Sequence, residues 1–451
     1  MAQKHKQNIF YVLFKTYLKF FHDKVFYKKV YRIGSENVPE EGNPMIVVSN
    51  HQNCLNDPLG LIFSFTDRKP HILTRADVIE YNWFTNKFLR SVGLLPTFRM
   101  NFDGEESLSK NKGTFSESED ALIDGNTIIM FPEGMHQDKH WLGNFTTGFT
   151  KMAFESAEKD NFQTEVFIQP ACNHYSNYFG IQNEMIIKFG TPISIAPFYE
   201  LYKTKPRTAQ RQVIALAHEQ INNLMLNITD IDNYKAIDFI RSIYGRHYAI
   251  SNSLDANYFP NMLESDKLLF ANLEKAKAEN CDSVLNIYNK ALQYKQELKS
   301  QGIGDTEVML DTSLMQIVAN ILSLIVFLPI WIVSLWPNIL IFNASNIFMK
   351  NIKDKMFEGT IRYTLSVMAT IPITYILTFV LTFHFVNGWV AFFYICVLPA
   401  LAIFAWNYWQ FAKRTFRMLK HKRMAFEKRK DLSQTRKEII ESLDNVLGIA
   451  K

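Results

Sequence analysis

Two short polar clusters, each at the end of an apolar run, hold the side chains best suited to chemistry: Asn50-His51-Gln52-Asn53-Cys54-Leu55-Asn56-Asp57 and, about eighty residues on, Phe131-Pro132-Glu133-Gly134. A histidine can take a proton at neutral pH because its ordinary pKa is about 6.5. A carboxylate on its other ring nitrogen fixes the tautomer and steadies the imidazolium. His51 follows a run at 45–49 that reads as a strand, and Asp57-Pro58 stands where a helix would start, Asp as cap and Pro in its tolerated first turn. A strand-end turn and a helix start can bring the two side chains together. Such a base could deprotonate an alcohol and let it attack a thioester directly, without a Ser or Cys nucleophile, an assistance typically worth about 10²–10⁴ in rate. Cys54 lies in the same loop, but nothing in the sequence marks it as an activated thiol.

Two further blocks belong to the same series. Gly93-Leu94-Leu95-Pro96-Thr97-Phe98-Arg99 ends a strand with an arginine, whose forked donor suits a phosphomonoester, and Gly134 lets backbone N–H groups approach an anion. Glu133, unexpected beside a phosphate, is assigned to holding Arg99 or binding a glycerol hydroxyl. Ile168-Gln169-Pro170 lies in a later strand. A His and an Asp six apart are usually structural. Four blocks in this order and spacing, however, resemble motifs one to four of the glycerolipid acyltransferase family, which includes glycerol-3-phosphate and lysophosphatidic acid acyltransferases.

The resemblance covers roughly residues 30–194. It implies an α/β catalytic domain with a mixed central sheet flanked by helices. It implies that His51 and Asp57 form the catalytic dyad, that Arg99, Glu133 and Gly134 bind the glycerol phosphate, and that Pro170 helps shape the acyl donor site. The implied reaction moves a fatty acyl group from a thioester of coenzyme A or acyl carrier protein to a hydroxyl of glycerol 3-phosphate in phospholipid synthesis. No metal and no cofactor beyond that co-substrate is implied. Lysophosphatidic acid or another lysophospholipid is the alternative acceptor; from a different class, the chain would be a catalytically silent lipid-binding scaffold.

Some residues depart from the family's pattern. Five residues separate His51 from Asp57 where four are common, as in the branch resembling the larger fungal acyltransferases for glycerol 3-phosphate and dihydroxyacetone phosphate. Phe145-Thr146-Thr147-Gly148 lacks the lysine often found there, so a different acceptor head group or a weaker phosphate grip is open, with Arg75 as an accessory phosphate contact or a surface arginine. His136 and His140, four apart around Asp138, have a spacing that could hold zinc on a helix, but they fall in a loop and are not read as a metal site. Trp141 and Phe145 are expected to pack that loop or touch lipid.

The elements that must position these groups are an alternation of short apolar runs and helical stretches, the signature of an α/β domain. Strands are expected at 45–49, 71–74, 94–97, 127–131, 166–172 and 185–189, and helices at 81–91, 116–123 and 147–158. The catalytic domain is placed at 33–230 and a helical insertion rich in Lys, Glu, Ala and Leu at 231–310. The chain has 451 residues, 47% of them apolar, which is enough for a soluble core and something more. Its four cysteines form no C-x-x-C pair, so a reducing compartment is the default. No cleavable signal, internal repeat or P-loop is seen, and no nucleic acid is expected as a partner.

Residues 1–32 interleave lysines with aromatics and carry one acidic residue, Asp23. They read as a helix in the headgroup layer, apolar side sunk and lysines against anionic lipid, or as a core helix whose lysines snorkel. No charged side chain occurs at 312–349 or at 363–412, and about 20 such residues span a bilayer. The second stretch splits into spans near 363–383 and 389–410. The basic tail at 413–451 then lies in the cytoplasm, and so does the loop with Lys350, Lys353, Lys355 and Arg362. Keeping the catalytic domain on that side requires 312–349 to enter and return, bending at Pro329 or Pro337; a single long tilted helix is the alternative.

Overall fold

A computed structural model describes residues 8–97, 107–134, 139–350 and 357–449. The chain divides into two compact units, one of residues 1–225 with 345–368 and the other of 226–344 with 369–451.

The first unit is built on a mixed sheet of eight strands: β1 (Tyr27–Ile33), β2 (Met45–Ser49), β3 (His71–Arg75), β4 (Leu94–Thr97), β5 (Thr127–Met130), β6 (Phe167–Tyr175), β7 (Asn183–Phe189) and β8 (Ile193–Ser194). Their order is β1-β7-β6-β2-β5-β3-β4, with β8 beside β6. β6, β2, β5, β3 and β4 run parallel, whereas β7 is antiparallel to β6 and carries β1 along with it. β2 lies at the centre and is covered on both faces; its Met45, Ile46, Val47 and Val48 are fully buried. That is why it reads as an unbroken apolar run and not as an alternation. One face is closed by helices Gly148–Lys159 and Pro206–Leu224. The second presents Ala209, Val213, Ala217 and Ile221 at four-residue spacing, all fully buried against Phe149, Met152 and Phe154.

Because the parallel strands point one way, the C-terminal ends of β2, β3, β4 and β5 gather at one edge of the sheet, where ligands bind in open α/β folds. Pro170 interrupts the interior strand β6 without cost to the ladder. It pairs with Val48 of β2, and on its other side the chain turns at Gly190, whose N–H donates to the Pro170 carbonyl at 2.8 Å.

The N-terminal segment differs from its expected form. Helix α1 (Ile9–Phe21) ends in a wide turn over His22–Phe26, and Tyr27–Ile33 is not helical but the edge strand β1. The lysines of α1 also face the other way. Lys15 donates to the carbonyls of Phe65 (2.6 Å) and Arg68 (3.3 Å), Lys19 to Asp23 and the Phe63 carbonyl, while Ile9, Phe10, Leu13 and Phe20 are exposed. Burial lowers the Lys15 ammonium to about 8.

The second unit is helical. Helices Tyr234–Ser251, Phe259–Glu279 and Cys281–Gln301 are joined by Phe426–Leu447, which lies in the expected basic tail. Leu432, Ile439 and Leu443 form its buried stripe, and Arg436 bonds Asp305 at 2.8 Å. Other cations of that region are likewise paired within the protein: Arg417 with Glu307, Lys428 with Glu297, and Lys422 and Arg429 with Asp311.

Among the described residues, three helices are long and apolar enough to cross a membrane, within Leu314–Ile339, Phe357–Phe385 and Gly388–Arg423. Leu314–Met349 is one continuous helix through Pro329 and Pro337, not the expected pair of short ones. Pro337 cannot donate to the carbonyl of Val333, and the Tyr394 hydroxyl lies 3.4 Å from that oxygen. The expected span near 363–383 falls within the apolar helix Phe357–Phe385, in which Tyr363 and Val367 are buried.

Candidate active site

Asn50 sets the approach of the first cluster. Its side chain continues the β2–β6 pairing past the last ladder bond: Nδ2 donates to the Asn173 carbonyl (2.9 Å) and Oδ1 accepts the Asn173 N–H (2.8 Å). The chain therefore leaves β2 in a fixed direction. The loop that follows folds over Asp57, which opens helix α2 (Asn56–Ile62) and is wholly buried.

Asp57 is surrounded by donors. Its Oδ2 meets His51 Nδ1 at 2.8 Å and accepts the backbone N–H groups of Gln52 and Asn53, each at 2.7 Å. Its Oδ1 accepts the Tyr175 hydroxyl at 2.5 Å. Four donors on one buried group is the coordination that suits a carboxylate anion. Tyr175 is itself buried at the end of β6, and burial pushes its phenol well above the usual range, with the nearby Asp57 charge adding to the effect. It stays protonated and keeps donating. Asp57 fixes Nδ1 of the imidazole, and Phe131 stacks on the ring, centroids 4.2 Å apart and planes 19° from parallel.

The second cluster is tied to the first through Glu133. Its Oε1 accepts the His51 N–H (3.1 Å) and its Oε2 the Gly143 N–H (2.9 Å). Expected to hold Arg99 or a glycerol hydroxyl, Glu133 thus joins the dyad loop to the chain after Gly134. Burial raises its carboxyl, and the two backbone N–H groups work in the opposite direction. Gly134 has φ +72, a conformation other residues rarely adopt, and its own N–H donates to the Phe131 carbonyl at 3.2 Å. Gln52 reaches the Lys139 carbonyl (3.0 Å), and Thr146 bonds the Pro132 carbonyl through its N–H (2.9 Å) and its hydroxyl (3.0 Å).

The remaining expected residues fall variously. Arg99 lies outside the described residues, as do His136 and Asp138. Arg75 is the last residue of β3 and not part of the following loop; its side chain is also outside what is described. Pro170 is buried in β6, one residue before Ala171, the partner of the last residue of β2. His140 is buried and its Nδ1 is 3.0 Å from the Tyr178 hydroxyl, while the Lys139 ammonium lies over the Trp141 ring. Tyr175 carries no expectation from the sequence, and Phe131 is part of the second cluster without an expected role; nothing near either residue announces its partner.

Comparison with known proteins supplies the context. Residues 29–173 match the family model described as Acyltransferase. Glycerol-3-phosphate O-acyltransferase 2 of Saccharomyces cerevisiae is 24% identical over 301 residues, 63% of this chain and 39% of that protein. An uncharacterized acyltransferase of Schizosaccharomyces pombe is 24% identical over 196 residues, 43% of this chain and 28% of that one. The matches thus span well under half the length of these curated relatives. Among solved structures, the lysophosphatidic acid acyltransferase PlsC of Thermotoga maritima is 16% identical, with a TM-score of 0.33 over 48% of this chain and 78% of its own. The His51–Asp57 loop and the Phe131–Gly134 turn lie within residues 29–173, the part of the chain that matches the Acyltransferase family model.

Proposed function

We propose that this protein transfers a fatty acyl group from an acyl thioester to a hydroxyl of glycerol 3-phosphate. The observation that carries the reading is the His51 Nδ1 to Asp57 Oδ2 contact of 2.8 Å inside the part of the chain that matches the Acyltransferase family model. The similarity to a yeast glycerol-3-phosphate O-acyltransferase supports the choice of acceptor.

With Nδ1 oriented by Asp57, Nε2 of His51 takes the proton of the acceptor hydroxyl as its oxygen attacks the thioester carbonyl. A new C–O bond forms and the carbonyl oxygen becomes an oxyanion. Collapse breaks the C–S bond, and the departing thiolate takes the proton from the imidazolium. Asp57 stabilises the cation between the two transfers and itself gains no proton. No covalent enzyme intermediate is needed, so Cys54 takes no part. Arg99 and the Gly134 turn are assigned to the acceptor's phosphate and Pro170 to the donor side. The three apolar helices hold the protein in a bilayer, with the catalytic unit against its anionic headgroups.

The test uses purified full-length protein, one acyl-CoA, and three acceptors in turn: glycerol 3-phosphate, dihydroxyacetone phosphate and lysophosphatidic acid. Glycerol 3-phosphate is expected to be acylated fastest, and His51→Ala to lose about 10³-fold or more in kcat. Preference for lysophosphatidic acid moves the acceptor assignment, and no transfer to any acceptor leaves the lipid-binding scaffold. His51→Ala with unchanged rate would falsify the general-base mechanism.

A further inference from the structure

The loop between His51 and Asp57 contains backbone N–H groups that must find partners inside a packed domain. Gln52 and Asn53 give theirs to Asp57. Leu55 gives its N–H to a residue from the far end of the chain: the Thr360 hydroxyl accepts it at 2.9 Å. Thr360 lies on helix Phe357–Tyr363, which belongs to the same compact unit as the dyad. The Thr360 hydroxyl in turn reaches Asn53 Oδ1 at 3.5 Å, and Asn53 Nδ2 donates to the Tyr178 carbonyl at 2.9 Å.

The helix is seated against the loop with no room to spare. A Cβ at Gly359 would lie 2.7 Å from both Asn53 Nδ2 and the Tyr178 carbonyl oxygen, and the second is backbone that cannot swing away. Arg362 fixes the next turn by donating to the Phe179 carbonyl at 3.2 Å and to Glu358 at 2.8 Å. Tyr363 donates to the Leu18 carbonyl at 3.0 Å, and Tyr17 to the Val367 carbonyl at 2.7 Å, which ties the segment to α1. These contacts join the dyad loop, the 178–179 turn and α1 through one short helix. The same helical run continues into Ile371–Phe385, an apolar span.

We propose that helix Phe357–Tyr363 is a positioning element for catalysis, with Gly359 and Thr360 holding the His51–Asp57 loop in its acting conformation. This rests on the acyl-transfer reading above. The five-residue loop leaves Leu55 N–H without a partner inside the loop, and Thr360 supplies one. Thr360 touches no reacting atom; it acts through the loop.

The experiment compares Thr360→Val, Thr360→Ser, Gly359→Val and His51→Ala in the full-length protein, measuring kcat and KM for acyl-CoA and glycerol 3-phosphate. Thr360→Val is expected to lower kcat about tenfold with both KM values within about twofold, as for one lost hydrogen bond to a buried N–H. Thr360→Ser, which keeps the hydroxyl, is expected to return kcat to within about twofold of wild type. Gly359→Val is expected to cost about a hundredfold or more, since the helix must lift off the loop; should it fail to fold, the Thr360 pair carries the test. Wild-type kcat in Thr360→Val, with His51→Ala inactive, overturns the positioning role and leaves acyl transfer standing. Equal losses in the Val and Ser variants also overturn it, because the hydroxyl is then not what matters. Full activity in His51→Ala sinks the acyl-transfer reading instead.

Discussion

Two aspartates, one in each compact unit, are buried to nearly the same degree and furnished very differently. Asp57 accepts from an imidazole, a phenol and two backbone N–H groups. Asp266, on helix Phe259–Glu279, has Arg241 at 3.5 Å from Oδ2 and no partner on Oδ1, and burial pushes its carboxyl up to about 7. Burial alone drives a carboxyl to keep its proton; only convergent donors make a buried site suited to a charge. The dyad loop spends most of its local hydrogen bonding on one anion. The helical unit tolerates a group that can simply be neutral.

The largest expected effect separates the two directly. Asp57→Asn keeps the shape but replaces an acceptor with an amide that cannot steady the imidazolium, and kcat should fall about 10³–10⁴-fold with KM changed little. Retained activity would mean that the four donors serve folding only. Next comes Glu133→Gln, which leaves one oxygen for two backbone N–H groups, those of His51 and Gly143. Losing one such bond at a buried donor is worth about 1–3 kcal/mol, so kcat should drop about tenfold or somewhat more. A change confined to the glycerol 3-phosphate KM would instead return Glu133 to acceptor binding.

Tyr175→Phe should act more gently, because three donors remain on Asp57. A loss of about three- to tenfold in kcat is expected. A second readout distinguishes support of the dyad from loose packing: both KM values should stay within about twofold of wild type and the melting temperature close to it. A lowered melting temperature with wild-type kcat would reassign Tyr175 to packing.

The two kinds of site also differ in how far the sequence exposes them. His51 and Asp57 lie within one turn of chain, after a strand whose unbroken apolar run announces double-sided burial, so both the pair and its platform are legible. Tyr175 is 118 residues from Asp57 and Thr360 is 305 from Leu55, and no local pattern encodes such a partner. Tyr27–Ile33 reads as helix because Lys28 and Lys29 suggest a charged helical face; at a sheet edge, exposed lysines are also what keeps a strand from pairing further. In Phe426–Leu447 the stripe of Leu432, Ile439 and Leu443 is present, but the density of basic residues masks it. The prolines of Leu314–Met349 suggest a bend because the hydroxyl beside the Val333 carbonyl comes from Tyr394, on another helix. Charge and proline content describe a segment alone, whereas its conformation depends on what it is packed against.

The smallest effect on catalysis, and the sharpest on stability, belongs to Asp266→Asn. The folded carboxyl titrates near 7 against an ordinary 3.8, so between those values the folded protein holds a proton that the unfolded chain has lost. The contribution is therefore full below about pH 4 and is lost as pH rises through about 7, with a span of order 4 kcal/mol as an upper bound. Arg241 opposes the shift and Asp238 adds to it. Thermal unfolding of the full-length protein at pH 5, 6.5 and 8 should show stability falling with pH in the wild type and a flatter slope in Asp266→Asn, with acyl transfer unchanged. Equal slopes would show that Asp266 is already ionised in the fold, held by Arg241 alone, and that sparse furnishing can keep a buried charge after all.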